Sequence, residues 1–302
     1  MMIRKCLVPS SFFFILLSLS FPKLALANTP DKVGASACIA CHSDQGEAFK
    51  KNIHSRTFPA IKKIAFEESC ETCHGPGSLH MEAGGDRSKP GFATIKNPKN
   101  LKGAESAAIC LQCHDNGKRM FWKGSQHESR NLACVQCHSM HSSKGPSLLV
   151  KNSESETCYQ CHLQRKAQGQ KSTHMPIKEG KLQCTSCHNP HGSAGPKLLA
   201  QNSTNENCYS CHAEKRGPFL WDHPPVRENC LNCHDAHGSN HDKLLKVKRP
   251  RLCQQCHNEG GPGVHVSVPG TPAVTYALER ACLKCHPMIH GSNHPQGVRF
   301  QR

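Results

Sequence analysis

The chain has 302 residues, a formal net charge of +16 and 21 cysteines, while aromatic residues make up only 5%. Its apolar content of 36%, cysteines included, is below that of an ordinary soluble domain of this length. A chain so poor in large apolar side chains lacks the material for a core of its own. Either another component fills the interior or the chain is disordered.

The first 27 residues have the layout of a secretory signal peptide. A basic start, MMIRK, precedes the apolar run CLVPSSFFFILLSLSF, and Ala25-Leu26-Ala27 provides a small-residue cleavage site. A transmembrane anchor is the alternative, but the run is shorter than about 18 residues and ends in a cleavage pattern. We therefore expect residues 1–27 to be removed on export, and Cys6 with them. No later stretch of the sequence has the composition of a membrane-spanning helix.

The remaining chain is basic. Without Arg4, Lys5 and Lys23 the charge of +16 becomes +13. A basic surface is often a nucleic-acid footprint, but an exported protein does not meet nucleic acid, so we expect no such partner.

One motif, Cys-x-x-Cys-His, occurs ten times and uses all 20 cysteines that remain after export. The cysteine pairs are Cys38/Cys41, Cys70/Cys73, Cys110/Cys113, Cys134/Cys137, Cys158/Cys161, Cys184/Cys187, Cys208/Cys211, Cys230/Cys233, Cys253/Cys256 and Cys282/Cys285. The histidines that follow them, called proximal below, are His42, His74, His114, His138, His162, His188, His212, His234, His257 and His286.

Four kinds of chemistry use paired cysteines. Disulfides and redox dithiols have no use for the histidine, and zinc ribbons need cysteines in fours but no histidine after each pair. Covalent haem attachment uses every element, because two thioethers fix the porphyrin and the adjacent imidazole ligates the iron. The sequence therefore predicts ten covalently bound haem c groups.

Local signals favour short helices at these motifs. Ser153 and Ser203 each precede a glutamate by three residues, which is the capping-box pattern just before a haem motif. Positions i, i+3 and i+4 share one face of a helix, so Cys158, Cys161 and His162 can address one porphyrin.

A second set of histidines follows the motifs in register. After each motif, before the next, there is at least one further histidine, called distal below. These are His54, His80, His127, His141, His174, His191, His223, His237, His265 and His290. The separation from the proximal histidine alternates between 8–13 residues after odd-numbered motifs and 3–6 after even-numbered ones.

We expect the distal histidines to be the second axial ligands. His141 follows His138 too closely to reach the opposite face of the same iron, so it is expected to serve a neighbouring haem. Methionine is the rival ligand, but five methionines after export are too few for ten irons. The spare histidines His241 and His294 are expected to face solvent or to bond a propionate.

A longer period groups the motifs in twos. HSSKGPSLLVKNSESETCYQCH resembles HGSAGPKLLAQNSTNENCYSCH, which indicates units of about 45 to 50 residues. The expected two-haem repeats span about 28–109, 110–157, 158–207, 208–252 and 253–302. The first is lengthened by a Gly/Pro/Lys-rich insert from about Met81 to Ala108, which is expected to be a surface loop.

These features predict a mainly α fold with much irregular coil and few or no strands. The protein would be an extended wrapper around a linear chain of ten haems, and it should not fold without them. Two histidines per iron leave no open site, which favours electron transfer over catalysis. All-histidine ligation also predicts low potentials.

The ten motifs in about 300 residues, the CHxxHGS repeats and the ending HGSNHPQGVRF resemble the periplasmic decahaem c-type cytochromes of the MtrA/DmsE/PioA family. The resemblance covers the whole chain after the leader. It implies a periplasmic protein that inserts into an outer-membrane β-barrel porin and carries electrons across the outer membrane. The implied partners are periplasmic or inner-membrane cytochromes on one side, and an extracellular multihaem cytochrome or terminal reductase on the other. The implied process is metal reduction, iron oxidation or dimethyl sulfoxide respiration.

Two other functions remain as alternatives. One is a free periplasmic electron shuttle without a porin. The other is a multihaem reductase of nitrite or a sulfur oxyanion, which would require an open axial site at one haem.

Overall fold

The computed structural model describes residues 29–172, 177, 179–257 and 282–301. The expected signal peptide, together with the distal candidates His174 and His265, lies outside these residues. Among the described residues, no helix is long and apolar enough to cross a membrane.

The fold consists of short helices joined by irregular chain. The α-helices of the described part are Ala35–Ile39, Ser43–Lys50, Ile53–Thr57, Ser69–His74, Ser78–Ala83, Gly103–Leu111, Glu154–Cys158, Leu163–Gln168, Thr204–Tyr209, Pro224–Glu228, Arg251–Gln254 and Cys282–Cys285. A π-helical turn covers Phe58–Lys62. Single 3-10 turns cover Phe66–Glu68, Pro90–Thr94, Pro98–Asn100, Gly117–Arg119, Glu128–Arg130, Cys134–Gln136, Pro146–Leu148, Cys184–Ser186, Pro196–Leu198, Ala213–Lys215, Cys230–Asn232, Asp242–Leu244 and Gly297–Arg299.

The prediction of a mainly helical and irregular fold is confirmed. In the described ranges, β structure is limited to isolated antiparallel bridges such as His138 with Leu149 and His188 with Leu199. The two predicted helices before haem motifs are present, and each begins directly after its serine. The hydroxyls of Ser153 and Ser203 accept from the backbone N–H three residues on, at 3.1 Å in both cases. This satisfies one of the unpaired donors at each helix start.

The apolar core is very small. The buried hydrophobic residues of the described part are Ala35, Phe58, Ala83, Ala107, Trp122, Ala133 and Leu245. The main cluster joins Ala107, Trp122 and Ala133. Four of the seven are alanines, so protein atoms alone bury little of the area that stabilises a domain of this length.

A buried carboxylate stabilises the N-terminal region instead. Glu71 lies inside the second haem motif and is only 6% exposed. Its oxygens accept from the backbone N–H groups of Val33, Gly34 and Gly77 at 2.9, 3.1 and 2.9 Å. Charged hydrogen bonds of this kind are stronger than neutral ones, and here they attach the start of the described chain to the second motif.

The insert from Met81 to Ala108 is more than the surface loop that its composition suggested. Much of it is exposed, but the helix Ser78–Ala83 packs on the turn Pro90–Thr94. The carbonyls of Phe92 and Lys96 accept from the Nδ1 atoms of His80 and His74, at 2.9 and 2.7 Å. The prolines and glycines shape the chain so that it reaches back to two histidines.

Candidate haem-binding histidines and cysteines

Each motif contains a backbone hydrogen bond between its proximal histidine and its first cysteine. The N–H of the proximal histidine donates to the carbonyl of the first cysteine, as in His138 to Cys134 at 2.8 Å and His162 to Cys158 at 3.0 Å. This i to i+4 bond places cysteine and histidine one helical turn apart. The three functional side chains of a motif therefore point to one side.

Consecutive motifs lie next to each other through their cysteines. The first cysteines of motifs three and four, five and six, and seven and eight are hydrogen-bonded, namely Cys110 with Cys134, Cys158 with Cys184, and Cys208 with Cys230. The hydrogen bond from its partner lowers the pKa of each second member, Cys134, Cys184 and Cys230, to about 7. Cys38 with Cys70, and Cys253 with Cys282, form the corresponding contacts at the two ends.

The second cysteines connect the remaining neighbours. Electrostatic interaction raises the pKa of one member of each pair, in addition to burial, for Cys73 with Cys113, Cys137 with Cys161, Cys187 with Cys211, and Cys233 with Cys256. Hydrogen-bonded first cysteines and electrostatically interacting second cysteines alternate along the chain. The ten motifs thus follow one another in space in the order of the sequence.

The motif cysteines differ in how far the chain itself covers them. Six second cysteines are exposed, namely Cys41, Cys137, Cys161, Cys211, Cys256 and Cys285, whereas the other motif cysteines are half-buried. The assignment of these six cysteines to haem rests on the motif and stays a prediction.

The proximal histidines face distal ones in pairs. Six pairs have nearly parallel rings, 12–26° apart, with centroids 6.1–6.2 Å from each other: His42–His80, His74–His141, His138–His191, His188–His237, His223–His257 and His234–His290. Two pairs are crossed: His127–His162 at 6.2 Å and 62°, and His54–His114 at 5.8 Å and 84°.

This spacing fits an iron between the rings. Imidazole nitrogens bind metals at about 2 Å, so two rings on opposite sides of one metal have centroids about 6 Å apart. Direct ring stacking without an intervening atom would bring the centroids closer. In the described residues there is no cluster of three or more His, Cys, Asp or Glu side chains suited to a metal ion.

The pairing crosses the motif order. His141, which follows motif four, faces His74 of motif two rather than its own His138. The proximal histidines of motifs four, six and eight likewise face the distal histidine that follows the motif two places further on: His191, His237 and His290. Motifs three, five and nine face the histidine that follows the motif two places earlier: His54, His127 and His223.

Hydrogen bonds orient the rings. The proximal histidines of even-numbered motifs donate from Nδ1 to backbone carbonyls: His74 to Lys96, His138 to Ser147, His188 to Lys197, His234 to Lys243 and His286 to Arg299. A carbonyl only accepts, so the proton is on Nδ1 and the Nε2 lone pair is available to a metal.

Three of these acceptors lie in an unusual backbone conformation. Ser147, Lys197 and Lys243 have φ of 53, 51 and 57°. A left-handed conformation costs a non-glycine residue about 1–2 kcal/mol. It turns the carbonyl back toward the motif, where the histidine bond and an isolated bridge stabilise it. The repeated x-Leu-Leu sequence after motifs four, six and eight was the signal for this turn, and sequence reasoning missed its role.

Burial favours the neutral form of six distal histidines. It is the main cause that lowers the pKa of His54, His141, His191, His223, His237 and His290, and it brings the pKa of His191 to about 4. Neutral imidazole is the form that ligates metals.

The spare histidines are placed differently. Neither His241 nor His294 faces another histidine ring in the described part of the chain. The backbone N–H of His241 donates to Ser239. His294 accepts at Nδ1 from the Gln296 N–H at 3.2 Å, and its carbonyl accepts from the Trp221 indole at 2.9 Å. These hydrogen bonds of His294 therefore stabilise the C-terminal loop.

Comparison with known proteins identifies the family. A family model described as a doubled CXXCH motif matches residues 127–167, 174–217 and 223–261. The chain is 39% identical over 288 residues to a multihaem cytochrome MtrA of Shewanella baltica (strain OS185), covering 93% of this chain and 84% of that one. Among solved structures, an undecahaem cytochrome from the S-layer of Carboxydothermus ferrireducens is 18% identical over 77% of this chain and 32% of its own, with a TM-score of 0.11. A likeness at that score carries no argument about the fold. The high identity over nearly the full length, together with the motifs, places this chain in the MtrA family of multihaem c-type cytochromes, as an electron-transfer protein with covalently bound haem c.

Proposed function

We propose that the protein is a decahaem electron wire that acts across the outer membrane as part of a porin complex. The proposal of an electron wire rests on the eight facing histidine pairs, each of which consists of one proximal and one distal ring. Bound haem supplies one-electron redox chemistry, and the chain supplies attachment, ligation and spacing.

Closed axial positions make the protein a carrier rather than an enzyme. In each facing pair, the two imidazoles would hold a haem iron between them, so no position would be left for a substrate. The cysteines of each motif provide the thioether bonds. We assign the ten motif pairs and their proximal histidines to ten haems, with the distal histidines as second ligands, and extend this to His174 and His265.

The order of the motifs supports a single path. Hydrogen bonds or electrostatic interactions between cysteines link each motif to the next, from motif one to motif ten. The five two-haem repeats proposed from the sequence fit this order, since the first-cysteine contacts join the two motifs of each repeat.

Ligation is tested on the purified holoprotein. Mass spectrometry and a pyridine haemochrome assay should give ten haems per chain, and EPR should show low-spin ferric iron only. Carbon monoxide added to the reduced protein should not bind. Stoichiometric binding at one haem would instead favour the reductase, with one axial position open.

The outer-membrane role has a separate test. It is supported by membership of the MtrA family. Tagged protein would be recovered from detergent-solubilised outer membranes and its partners identified by mass spectrometry and haem stain. A stoichiometric β-barrel protein is expected. Recovery only as a soluble periplasmic monomer would contradict the porin complex and leave a shuttle.

The same pull-down identifies the terminal partners. We expect a periplasmic or inner-membrane cytochrome and an extracellular multihaem cytochrome or terminal reductase to co-purify. The outer partner would distinguish metal reduction from iron oxidation and dimethyl sulfoxide respiration.

A further inference from the structure

Asn52 is a buried polar residue between two distal histidines. Its side chain is only 5% exposed and lies at the N-terminus of the helix Ile53–Thr57. The Oδ1 atom accepts from the backbone N–H of His54 at 2.9 Å and from its Nδ1 at 3.0 Å. The Nδ2 atom donates to the carbonyl of Met140 at 2.7 Å, across 88 positions of sequence.

These partners fix the orientation of the amide and the form of the imidazole. The N–H of His54 requires an acceptor and the Met140 carbonyl requires a donor, so oxygen and nitrogen of the amide cannot be exchanged. An amide oxygen only accepts, which places the proton of His54 on Nδ1. Nε2 is then the atom that faces His114 as a potential ligand.

The same connection recurs elsewhere without an asparagine. Met140 is the residue before the distal His141, and Pro190 is the residue before the distal His191. The Nδ1 of His127 donates directly to the Pro190 carbonyl at 2.7 Å. In both places, one distal histidine is joined to the backbone next to a second distal histidine. The second ring faces the proximal histidine of the preceding motif. Only the first junction does this through a side chain, within the described residues.

We propose that Asn52 is a positioning residue that holds His54 against the third haem and ties it to the backbone beside His141, the ligand of the second haem. This inference rests on the axial ligands assigned above. The strength of the bond at Nδ1 sets how strongly an imidazole donates to iron, and hydrogen bonds of this kind tune reduction potentials. Asn52 therefore tunes the third haem and couples its ligand to the second.

The nearly perpendicular rings of His54 and His114 provide a spectroscopic signature by which the proposal can be tested. The His54 and His114 rings are 84° apart, the most nearly perpendicular of the pairs described. The His54 ring is hydrogen-bonded at Nδ1 to the amide oxygen and packs nearly perpendicular to Phe58, with 5.5 Å between centroids, so it has little freedom to rotate. The low-spin EPR signal of a haem with two imidazoles depends on the angle between their planes, so the third haem should be recognisable.

The experiment compares Asn52→Ala and Asn52→Asp in the holoprotein by EPR-monitored redox titration. Asn52→Ala removes the acceptor, so one low-spin signal should change shape and its midpoint potential should rise. Asn52→Asp places a carboxylate at Nδ1, which strengthens the bond and should lower the same midpoint. The opposite signs are not expected of a merely structural residue.

Asn100→Ala is the matched control, because that side chain is exposed and Asn100 belongs to none of the facing pairs described. It should leave every signal and potential unchanged. Unchanged spectra and potentials in both Asn52 variants, with ten haems present, would overturn the inference. So would loss of haem without any shift in the aspartate variant, since Asn52 would then act only in folding.

His54→Met separates this inference from the assignment beneath it. If His54 is an axial ligand, this variant changes the signal of one haem. If His54→Met changes nothing, the ligand assignment fails. If it changes a signal that Asn52 variants leave alone, only the role of Asn52 fails.

Discussion

His127 donates from Nδ1 to the carbonyl of Pro190 at 2.7 Å, although the two residues are 63 positions apart. His127 faces His162 of motif five, while Pro190 immediately precedes His191, which faces His138 of motif four. One hydrogen bond therefore connects the segments of two distal histidines, whose rings face the proximal histidines of consecutive motifs. The distal histidines thus belong to a tertiary framework that links separate parts of the chain.

The first prediction tests which iron His141 serves. His141→Met should replace one of the histidine pairs with a histidine–methionine pair, which raises the potential of one haem. The effect should vanish when motif two is removed by Cys70→Ser and Cys73→Ser, because the affected haem is then absent. It should persist when motif four is removed by Cys134→Ser and Cys137→Ser. Potentials from a spectroelectrochemical titration give the readout.

The reverse pattern would mean that His141 serves its own motif. His241→Met is the matched control, since His241 faces no other histidine ring in the described residues, and it should leave all potentials unchanged.

A second prediction concerns the left-handed turn after motif six. Lys197 has φ of 51°, and its carbonyl accepts from His188 at 3.1 Å. Lys197→Gly should stabilise this turn by about 1 kcal/mol, whereas Lys197→Val should destabilise it, because β-branched residues avoid positive φ. Hydrogen exchange of the peptide covering 184–200 should slow with glycine and quicken with valine.

Lys166 is a control with the opposite sign. It is exposed in the ordinary helix Leu163–Gln168, where glycine costs about 1 kcal/mol relative to a good helix former. Glycine should therefore quicken exchange at Lys166 but slow it at Lys197. The same sign at both sites would contradict the role given to the left-handed conformation.

A third prediction concerns the buried carboxylate of Glu71. Glu71→Ala removes both acceptor oxygens and leaves the N–H groups of Val33, Gly34 and Gly77 unpaired, which costs about 1–3 kcal/mol for each group that stays buried. Exchange at these amides should accelerate at least tenfold, since 1.4 kcal/mol is a factor of ten. Glu82→Ala, at an exposed carboxylate, should have no such effect. Equal protection in both variants would show that the N-terminal attachment does not depend on Glu71.

The fourth prediction is that the chain does not fold without haem. The buried hydrophobic residues described are mostly alanines, so their burial cannot offset the entropy lost on ordering the chain. Protein produced without haem attachment should lack cooperative thermal unfolding by circular dichroism and should be cleaved rapidly by trypsin. A protease-resistant haem-free form with a cooperative transition would contradict this.

Much of the site could be predicted from counting. The proximal histidines and cysteines follow from one local motif, and the distal histidines follow from their register with it. The geometry of a motif is also local, since His138 and Cys134 are joined by a single backbone bond. Sequence periodicity was sufficient for these features because each is complete within a few residues.

The partners of the distal histidines could not be predicted in this way. The contact of His74 with His141 depends on how separate segments pack, and no local pattern encodes it. Spacing alone excluded only His138 as the iron-sharing partner of His141. The contacts of the insert could not be predicted for the same reason, because its two functional groups are the carbonyls of Phe92 and Lys96, which every residue possesses.

Because most facing pairs join segments that are two motifs apart, neighbouring repeats depend on each other and the number of repeats cannot be changed freely. A cut after residue 252, at an expected repeat boundary, would remove His257 and His290 together. Two histidines upstream of the cut, His223 and His234, would then lose the rings that they face. A shorter wire therefore needs a rebuilt terminus and not merely fewer repeats. The first motif illustrates such a terminus, because His42 faces His80 from the very next segment instead of reaching two motifs away.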